Sequence, residues 1–291
     1  MHSESPLFLL DSFSAKDLDA WETQKDKILR YYWDFYNDLA YQRHKIADAL
    51  RTALLEAAAG PYEFNRWQRQ VRYKYCLTPL SPKGSLIEPG GRFNIPDVNP
   101  DQIPPFPALY IAENKETTLQ EAGQQSKRGE LSALDLALIK KDSISIVAVS
   151  GKLESIIDLR HPKKLKSFLK LIRKFSVSKS IIQMAEKIGL ERPQTVRTID
   201  SLIGSLLEPD WRAWCIQFDI PANCQIFGQL IANAGIEGIL YPSKFTKKNC
   251  LAIYPQNFDL ESFVAVEGDT PEGVVISRLD ANTWPSLKAT L

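Results

Sequence analysis

The sequence predicts an α+β protein, and three observations carry that expectation. From about Ala15 to Ala59 the chain has almost no proline or glycine, and its apolar residues recur at helical spacing. From Val71 onward the pattern changes to short strands separated by turns. Those strands cluster at both ends of the remaining chain with helices between them, whereas a doubly wound parallel sheet needs strict alternation of strand and helix.

Taken in order, Ile28, Tyr32, Phe35, Leu39, Ile46, Leu50 and Ala53 form one face of a long helix or a helical hairpin, ended by "GPYEFNRW". Trp33, Tyr36 and Tyr41 lie off that stripe. They mark either a helix covered on two sides by the rest of the chain or a face for a partner. "VRYKYCL" predicts the first strand. "SPKGSLIEPGGRFN" and a loop with five prolines follow, and "ALYIA" predicts a strand leading through the turn "ENK" into the helix "ETTLQEAGQQ". "SISIVAVSG" and "SIIDL" are two further strands. Helix is expected from about Lys163 to Leu207, interrupted near "GLERPQ", and again over "FGQLIANAG" up to Gly235. "EGILYPS", "CLAIYP", "SFVAV" and "GVVISRL" complete the strands. The domain reading is a helical extension over residues 1–65 and an α+β domain over 66–291, with a helical insert at about 160–209.

Composition narrows the function. The 291 residues are 44% hydrophobic, and 36 Lys and Arg against 35 Asp and Glu leave a net charge of +1, so no global field draws the chain to nucleic acid or membrane. Between Lys163 and Lys179 seven basic residues meet no acid, but Leu165, Phe168, Leu169 and Ile172 form an apolar stripe there, the pattern of a solvated helix face rather than a nucleic-acid site. Cys76, Cys215, Cys224 and Cys250 and the three histidines are scattered, so neither a metal site nor a disulfide framework is expected. No membrane span or secretory leader is visible, which leads to the expectation of a cytoplasmic protein. Phosphate-binding loops, dinucleotide fingerprints and hydrolase elbows are absent as motifs.

What remains is a set of arginines, an aromatic ring and a carboxyl near strand ends: Arg72, Arg92 on the paired glycines Gly90 and Gly91, Tyr110, Glu121 and Ser243. A guanidinium fork suits a diphosphate, a ring can stack on a planar base, and a carboxylate stabilises a sugar-derived cation. Each also has a structural explanation: Arg72 as a surface strand residue, Tyr110 as core, Glu121 as a solvated helix position and Ser243 as a turn residue. The residues alone leave both readings open.

The order of "GGRFN", "ALYIAENKETTLQEAG", "NCQIFGQLIANAG", "IEGILYPS" and "NCLAIYPQNF" resembles the RES-domain family, over roughly Val71 to Phe263. The resemblance implies a split mixed sheet similar to diphtheria-toxin-like ADP-ribosyltransferases. It implies a toxin that consumes NAD, cleaving the nicotinamide–ribose bond and passing ADP-ribose to water, phosphate or protein, with a helix-turn-helix antitoxin of the Xre type as partner. It places Arg72 and Arg92 on the pyrophosphate, Tyr110 beside the nicotinamide ribose, Glu121 as the catalytic carboxylate, Ser243 as a polar group on the late strand, and Gln225 as the glutamine of a pair in which Cys224 replaces the usual hydroxyl residue. NAD is the substrate and no metal is expected. A catalytically silent module that binds NAD or ADP-ribose is the alternative, and the oligomeric state, a homo-oligomer included, stays open.

Overall fold

A computed structural model describes residues 15–97, 100–121, 144–268, 270 and 272–291. In chain order the elements are α1 (Ala15–Lys45), α2 (Ala47–Ala57), β1 (Tyr62–Arg72), β2 (Leu109–Ala112), α3 (Lys115–Glu121), β3 (Ile144–Leu153) and β4 (Ile156–Asp158). There follow α4 (Lys166–Ile172), α5 (Lys179–Lys187), α6 (Ile199–Leu206), α7 (Arg212–Phe218) and α8 (Asn223–Asn233). The chain ends with β5 (Gly238–Pro242), β6 (Asn249–Ile253), β7 (Phe263–Val266), β8 (Arg278–Asp280) and α9 (Trp284–Lys288). No described helix is long and apolar enough to cross a membrane.

The chain divides into two compact units. The smaller holds the described residues up to Lys45 together with Lys174–Thr195. In it Tyr31 is buried with Ile181 and Ala185 of α5, and Tyr32, Phe35 and Met184 pack around them. The Gln42 amide adds a two-way link, donating to the Ser176 carbonyl at 2.8 Å and accepting from its N–H at 3.0 Å. The apolar stripe, which the sequence left as one long helix or a helical hairpin, is two helices divided at Ile46, and Leu50, Ala53, Leu54 and Ala57 of α2 belong to the core of the larger unit.

The larger unit, Ile46–Arg173 and Val196–Leu291, is built on one eight-stranded sheet in the order β4-β5-β6-β2-β1-β3-β7-β8. Only β4 and β5 run parallel; every other neighbouring pair is antiparallel. Side chains alternate between two cores. Leu109, Ile111, Leu240, Leu251 and Ile253 face one, while Ile239, Tyr241, Cys250 and Ala252 face the other with α2, α4, α6 and α8. With both faces covered, the central strands read as the continuous apolar runs "GILY" and "CLAIY".

Three expectations need correction. The first strand spans Tyr62–Arg72, and Tyr73–Tyr75 is a single 3-10 turn, not the strand that "VRYKYCL" suggests. The strand escapes a period-2 reading because the ladder with β3 shifts register between Phe64 and Trp67, where Arg66 takes a φ of 54°, so inward positions run Phe64, then Trp67, Arg69 and Val71. Of "GVVISRL" only Arg278 and Leu279 enter a strand, and Val275 is exposed. The helix expected over "ETTLQEAGQQ" is formed as far as Glu121; its later residues lie outside the described ones. The basic stretch after Pro162 breaks between α4 and α5, and its stripe of Leu165, Phe168 and Leu169 is buried in the core.

The sheet is also one sheet rather than a split one, yet it nearly parts. β1 and β2 are in register at Gln68 and Ala112, and beyond that pair the two strands separate. A buried guanidinium fills the gap: Arg69 donates from Nε to the Pro79 carbonyl at 2.7 Å, from Nη1 to the Tyr110 carbonyl at 3.0 Å and from Nη2 to the Ser81 carbonyl at 2.7 Å. Burial lowers its pKa to about 10, so it stays charged at neutral pH. Replacing Arg69 by Ala leaves three carbonyls facing the gap without this partner, and urea unfolding of Arg69→Ala should show a loss of about 3–5 kcal/mol. Arg69→Lys should recover only part of it, because one ammonium cannot match three acceptors held by a planar fork.

Candidate active site

Where β1 and β2 part, a cleft of about 290 Å³ opens, at the lower end of the range for small-molecule sites. β1 contributes Arg69 and Arg72, β2 contributes Tyr110, and the turn before β2 contributes Gly90, Gly91 and Arg92. Glu121 at the end of α3 and the pair Trp211 and Arg212 close the other side.

The turn "GGRFN" is held by its own last residue. Asn94 is fully buried; its Oδ1 accepts from the Gly91 N–H and from the Tyr110 hydroxyl, both at 2.9 Å, and its Nδ2 donates to the carbonyls of Ser85 at 2.7 Å and Phe106 at 3.2 Å. The Tyr110 oxygen in turn accepts from the Phe93 N–H at 2.9 Å. Gly90 has a φ of 75°, a left-handed conformation suited to glycine. Gly91 is required for a different reason: a Cβ there would lie 2.3 Å from the Tyr110 ring. The two glycines thus let the chain close over a tyrosine, and the turn presents Arg92 to the cleft.

Arg92 is 6% exposed, with Nη1 donating to the carbonyls of Glu208 at 2.7 Å and Leu206 at 3.4 Å. Its guanidinium lies 5.8 Å from the Trp211 ring, and that of Arg212 lies 4.7 Å from the same ring. Withdrawal from water and then the Arg92 charge lower the pKa of Arg212, while Glu121 acts in the opposite sense. The Glu121 charge is also felt at Tyr241 and Cys250, whose ionisation burial already suppresses. Burial pushes the Cys224 thiol up to about 12 and raises Cys215 as well. Cys250, the thiol that lines the cleft, is likewise kept protonated at neutral pH by burial, and Glu121 is the carboxyl among the described lining residues, against Arg69, Arg72, Arg92 and Arg212.

The structure brings Arg72, Arg92, Tyr110 and Glu121 to one cleft and sets Gln225 and Ser243 behind it. Gln225 sits at the first turn of α8 with its amide fully engaged. Oε1 accepts from the Ala222 N–H at 3.0 Å and the Cys215 thiol at 2.8 Å, and Nε2 donates to the carbonyls of Pro89 at 3.0 Å and Gly91 at 3.3 Å. It supports the glycine turn from below. Ser243 follows β5, and its hydroxyl accepts from the N–H groups of Phe245 at 3.2 Å and Thr246 at 3.3 Å. Thr246 pairs with Thr117 of α3 at 2.8 Å, so this turn helps to fix the helix that carries Glu121. Asn114 caps the same helix by accepting from the Thr117 N–H at 2.9 Å.

Sequence reasoning missed Arg69 and Arg212. Arg69 could have been found as a charge on the inward face of a strand, between Trp67 and Val71, had the bulge been visible. Arg212 had a weaker signal, an arginine flanked by Trp211 and Trp214.

Residues 63–273 match the RES domain family. The chain belongs to that family. The RES region starts inside β1 and runs beyond β7, and it includes Arg72, Arg92, Tyr110, Glu121, Gln225 and Ser243. Among solved structures, the crystal structure of the M. tuberculosis MbcT–MbcA toxin–antitoxin complex is similar at 15% identity with a TM-score of 0.43, over 83% of this chain and 97% of that one. No curated protein matches the sequence.

In this RES domain the closeness of Gly91 to Tyr110 can be tested directly. Gly91→Ala should cost about 1–3 kcal/mol in thermal or urea unfolding, because the methyl group meets an aromatic ring that cannot retreat without losing its hydroxyl contacts. Gly84→Ala, also on the cleft wall but with nothing within 4 Å of the added carbon, should be close to neutral.

Proposed function

We propose that this protein is a RES-type toxin whose cleft binds NAD and breaks the nicotinamide–ribose bond, passing ADP-ribose to water, phosphate or a protein acceptor. The observation that carries the reading is the convergence of four arginines and one carboxyl on a single cleft beside an aromatic side chain. Such an excess of positive charge suits a ligand with a diphosphate, and the carboxyl suits a reaction that develops positive charge on a sugar. The similarity to diphtheria-toxin-like ADP-ribosyltransferases that the sequence suggests belongs to the same proposal, as does a helix-turn-helix antitoxin as partner.

Arg92 would hold the diphosphate. Its Nη1 is fixed by the carbonyls of Leu206 and Glu208, and this anchoring aims the rest of the fork toward the ligand. Tyr110 would act through its ring, since its hydroxyl is engaged with Phe93 and Asn94. As the bond to nicotinamide lengthens, the ribose carbon gains oxocarbenium character, and Glu121 would stabilise that charge or orient the acceptor. Departing nicotinamide takes the bonding electron pair and is neutral. Ser243 and Gln225 would act at one remove, by fixing α3 and the glycine turn.

Two variants should give different kinetic signatures in an assay of nicotinamide release from NAD. Arg92→Ala should mainly raise KM, because its contact exists before and during reaction; Glu121→Gln should mainly lower kcat, by about 100-fold or more. Expressed in bacteria, the wild type should deplete NAD and arrest growth, and both variants should relieve the arrest. A folded wild type that binds NAD through Arg92, yet releases no nicotinamide and labels no protein with or without added phosphate, would replace the enzyme with a binding module.

A further inference from the structure

We propose that Arg212 is a further diphosphate-binding residue, which grips the ligand together with Arg92 across the indole of Trp211. The inference rests on the NAD reading above and names a residue that the sequence did not single out.

Arg69 supplies the internal standard. It is an arginine built to hold structure, buried, with all of its nitrogens donating to protein carbonyls at 2.7–3.0 Å. Arg92 and Arg212 differ from it. Among the described residues Arg92 commits Nη1 alone, which leaves Nε and Nη2 without a protein acceptor. Among the described residues Arg212 makes one long hydrogen bond, from Nη2 to the Glu121 carbonyl at 3.4 Å, besides its contact with the Trp211 ring. Two guanidinium groups with unused donors therefore line one cleft and share one aromatic platform, Trp211, which is 1% exposed.

Holding like charges together is unfavourable unless something of opposite sign accompanies them. Arg92 and Arg212 lie against the same Trp211 ring, so their charges oppose each other; withdrawal from water first and the Arg92 charge second lower the Arg212 pKa, while Glu121 acts in the opposite sense. A diphosphate carries two negative charges on adjacent phosphoryl groups, and planar forks on an indole would meet it with their rotamers already restricted. Trp211 therefore acts as the spacer that sets where the two forks lie. Arg212 follows it directly in the chain, so one short segment, Trp211 and Arg212, supplies both spacer and fork. Because Arg212 stands at the start of α7 and, among the described residues, is held only by one long hydrogen bond and the Trp211 ring, its removal should leave the fold intact.

The test is calorimetric titration of ADP-ribose, which carries the diphosphate but no nicotinamide, into the wild-type full chain, Arg212→Ala, Arg212→Lys and Arg92→Ala, alongside steady-state nicotinamide release from NAD. Arg212→Ala should weaken ADP-ribose binding by about 10- to 100-fold and raise KM for NAD by a similar factor, with kcat within a few-fold of wild type and an unchanged thermal midpoint. Arg212→Lys should fall between the two. If Arg212→Ala binds ADP-ribose as tightly as wild type while Arg92→Ala does not, the assignment of Arg212 is overturned and the NAD reading stands. A fall in kcat with unaltered ADP-ribose affinity would likewise overturn it, making Arg212 a residue that positions Glu121. A wild type that binds neither ADP-ribose nor NAD would remove the NAD reading, and this assignment with it.

Discussion

The rest of the larger unit depends on a guanidinium between two strands. A sheet closes its gaps with backbone hydrogen bonds, and where β1 and β2 leave register those bonds have to be replaced. Arg69 replaces them with three charge-assisted contacts to the carbonyls of Pro79, Ser81 and Tyr110. The strands can then diverge without stranding polar atoms in the interior. That divergence makes room for a ligand in the middle of an otherwise continuous sheet, and the cleft lies there.

Into this opening the chain sets a turn whose glycines are needed more by the protein than by a ligand. Gly91 lies against the Tyr110 ring, Asn94 ties the turn to β2 through the Tyr110 hydroxyl, and Gln225 supports it from the start of α8. Gly228 lets the same helix approach the Phe93 backbone, since a Cβ there would lie 2.1 Å from the Phe93 carbonyl oxygen. The Tyr254 hydroxyl donates to that oxygen at 2.8 Å. Tyrosine, asparagine and glutamine, residue types often assigned to ligands, here spend their polar atoms on holding one arginine in place. Rigid support of this kind lets a charged side chain act without first being ordered by its ligand.

On the other side of the cleft, the carboxyl depends on a chain of small contacts. The β5–β6 turn is closed by the Ser243 hydroxyl, joined to α3 by Thr246 and Thr117, and α3 is capped by Asn114. Thr118 adds a bond from α3 to the Gln68 carbonyl of β1 at 3.2 Å, beside the one pair where β1 and β2 remain in register. Glu121 is thus referenced to both halves of the sheet. Among the described lining residues the imbalance of four arginines to one carboxyl is local, in a chain whose net charge is only +1.

By itself the sequence determined the α+β class, the strand-forming runs "ALYIA", "GILYPS" and "CLAIYP", and the family, because apolar alternation and the order of short motifs are local properties of a chain. It also marked Arg72, Arg92, Tyr110 and Glu121, which the fold gathers into one cleft. Tertiary structure decided what local pattern cannot carry. A bulge at Phe64–Trp67 concealed the first strand, since an added residue breaks the period by which strands are read. The division of the helical stretch at Ile46 was settled by which core each half could cover, and periodicity is blind to that choice. Gln225 and Ser243 look the same in sequence whether they face a ligand or a backbone; only the packing of α8 under the turn and of the β5–β6 turn against α3 directs them inward. The partnership of Arg92 and Arg212 arises because two segments about 120 residues apart in the chain meet on one tryptophan ring, and a contact made over that distance leaves no periodic trace.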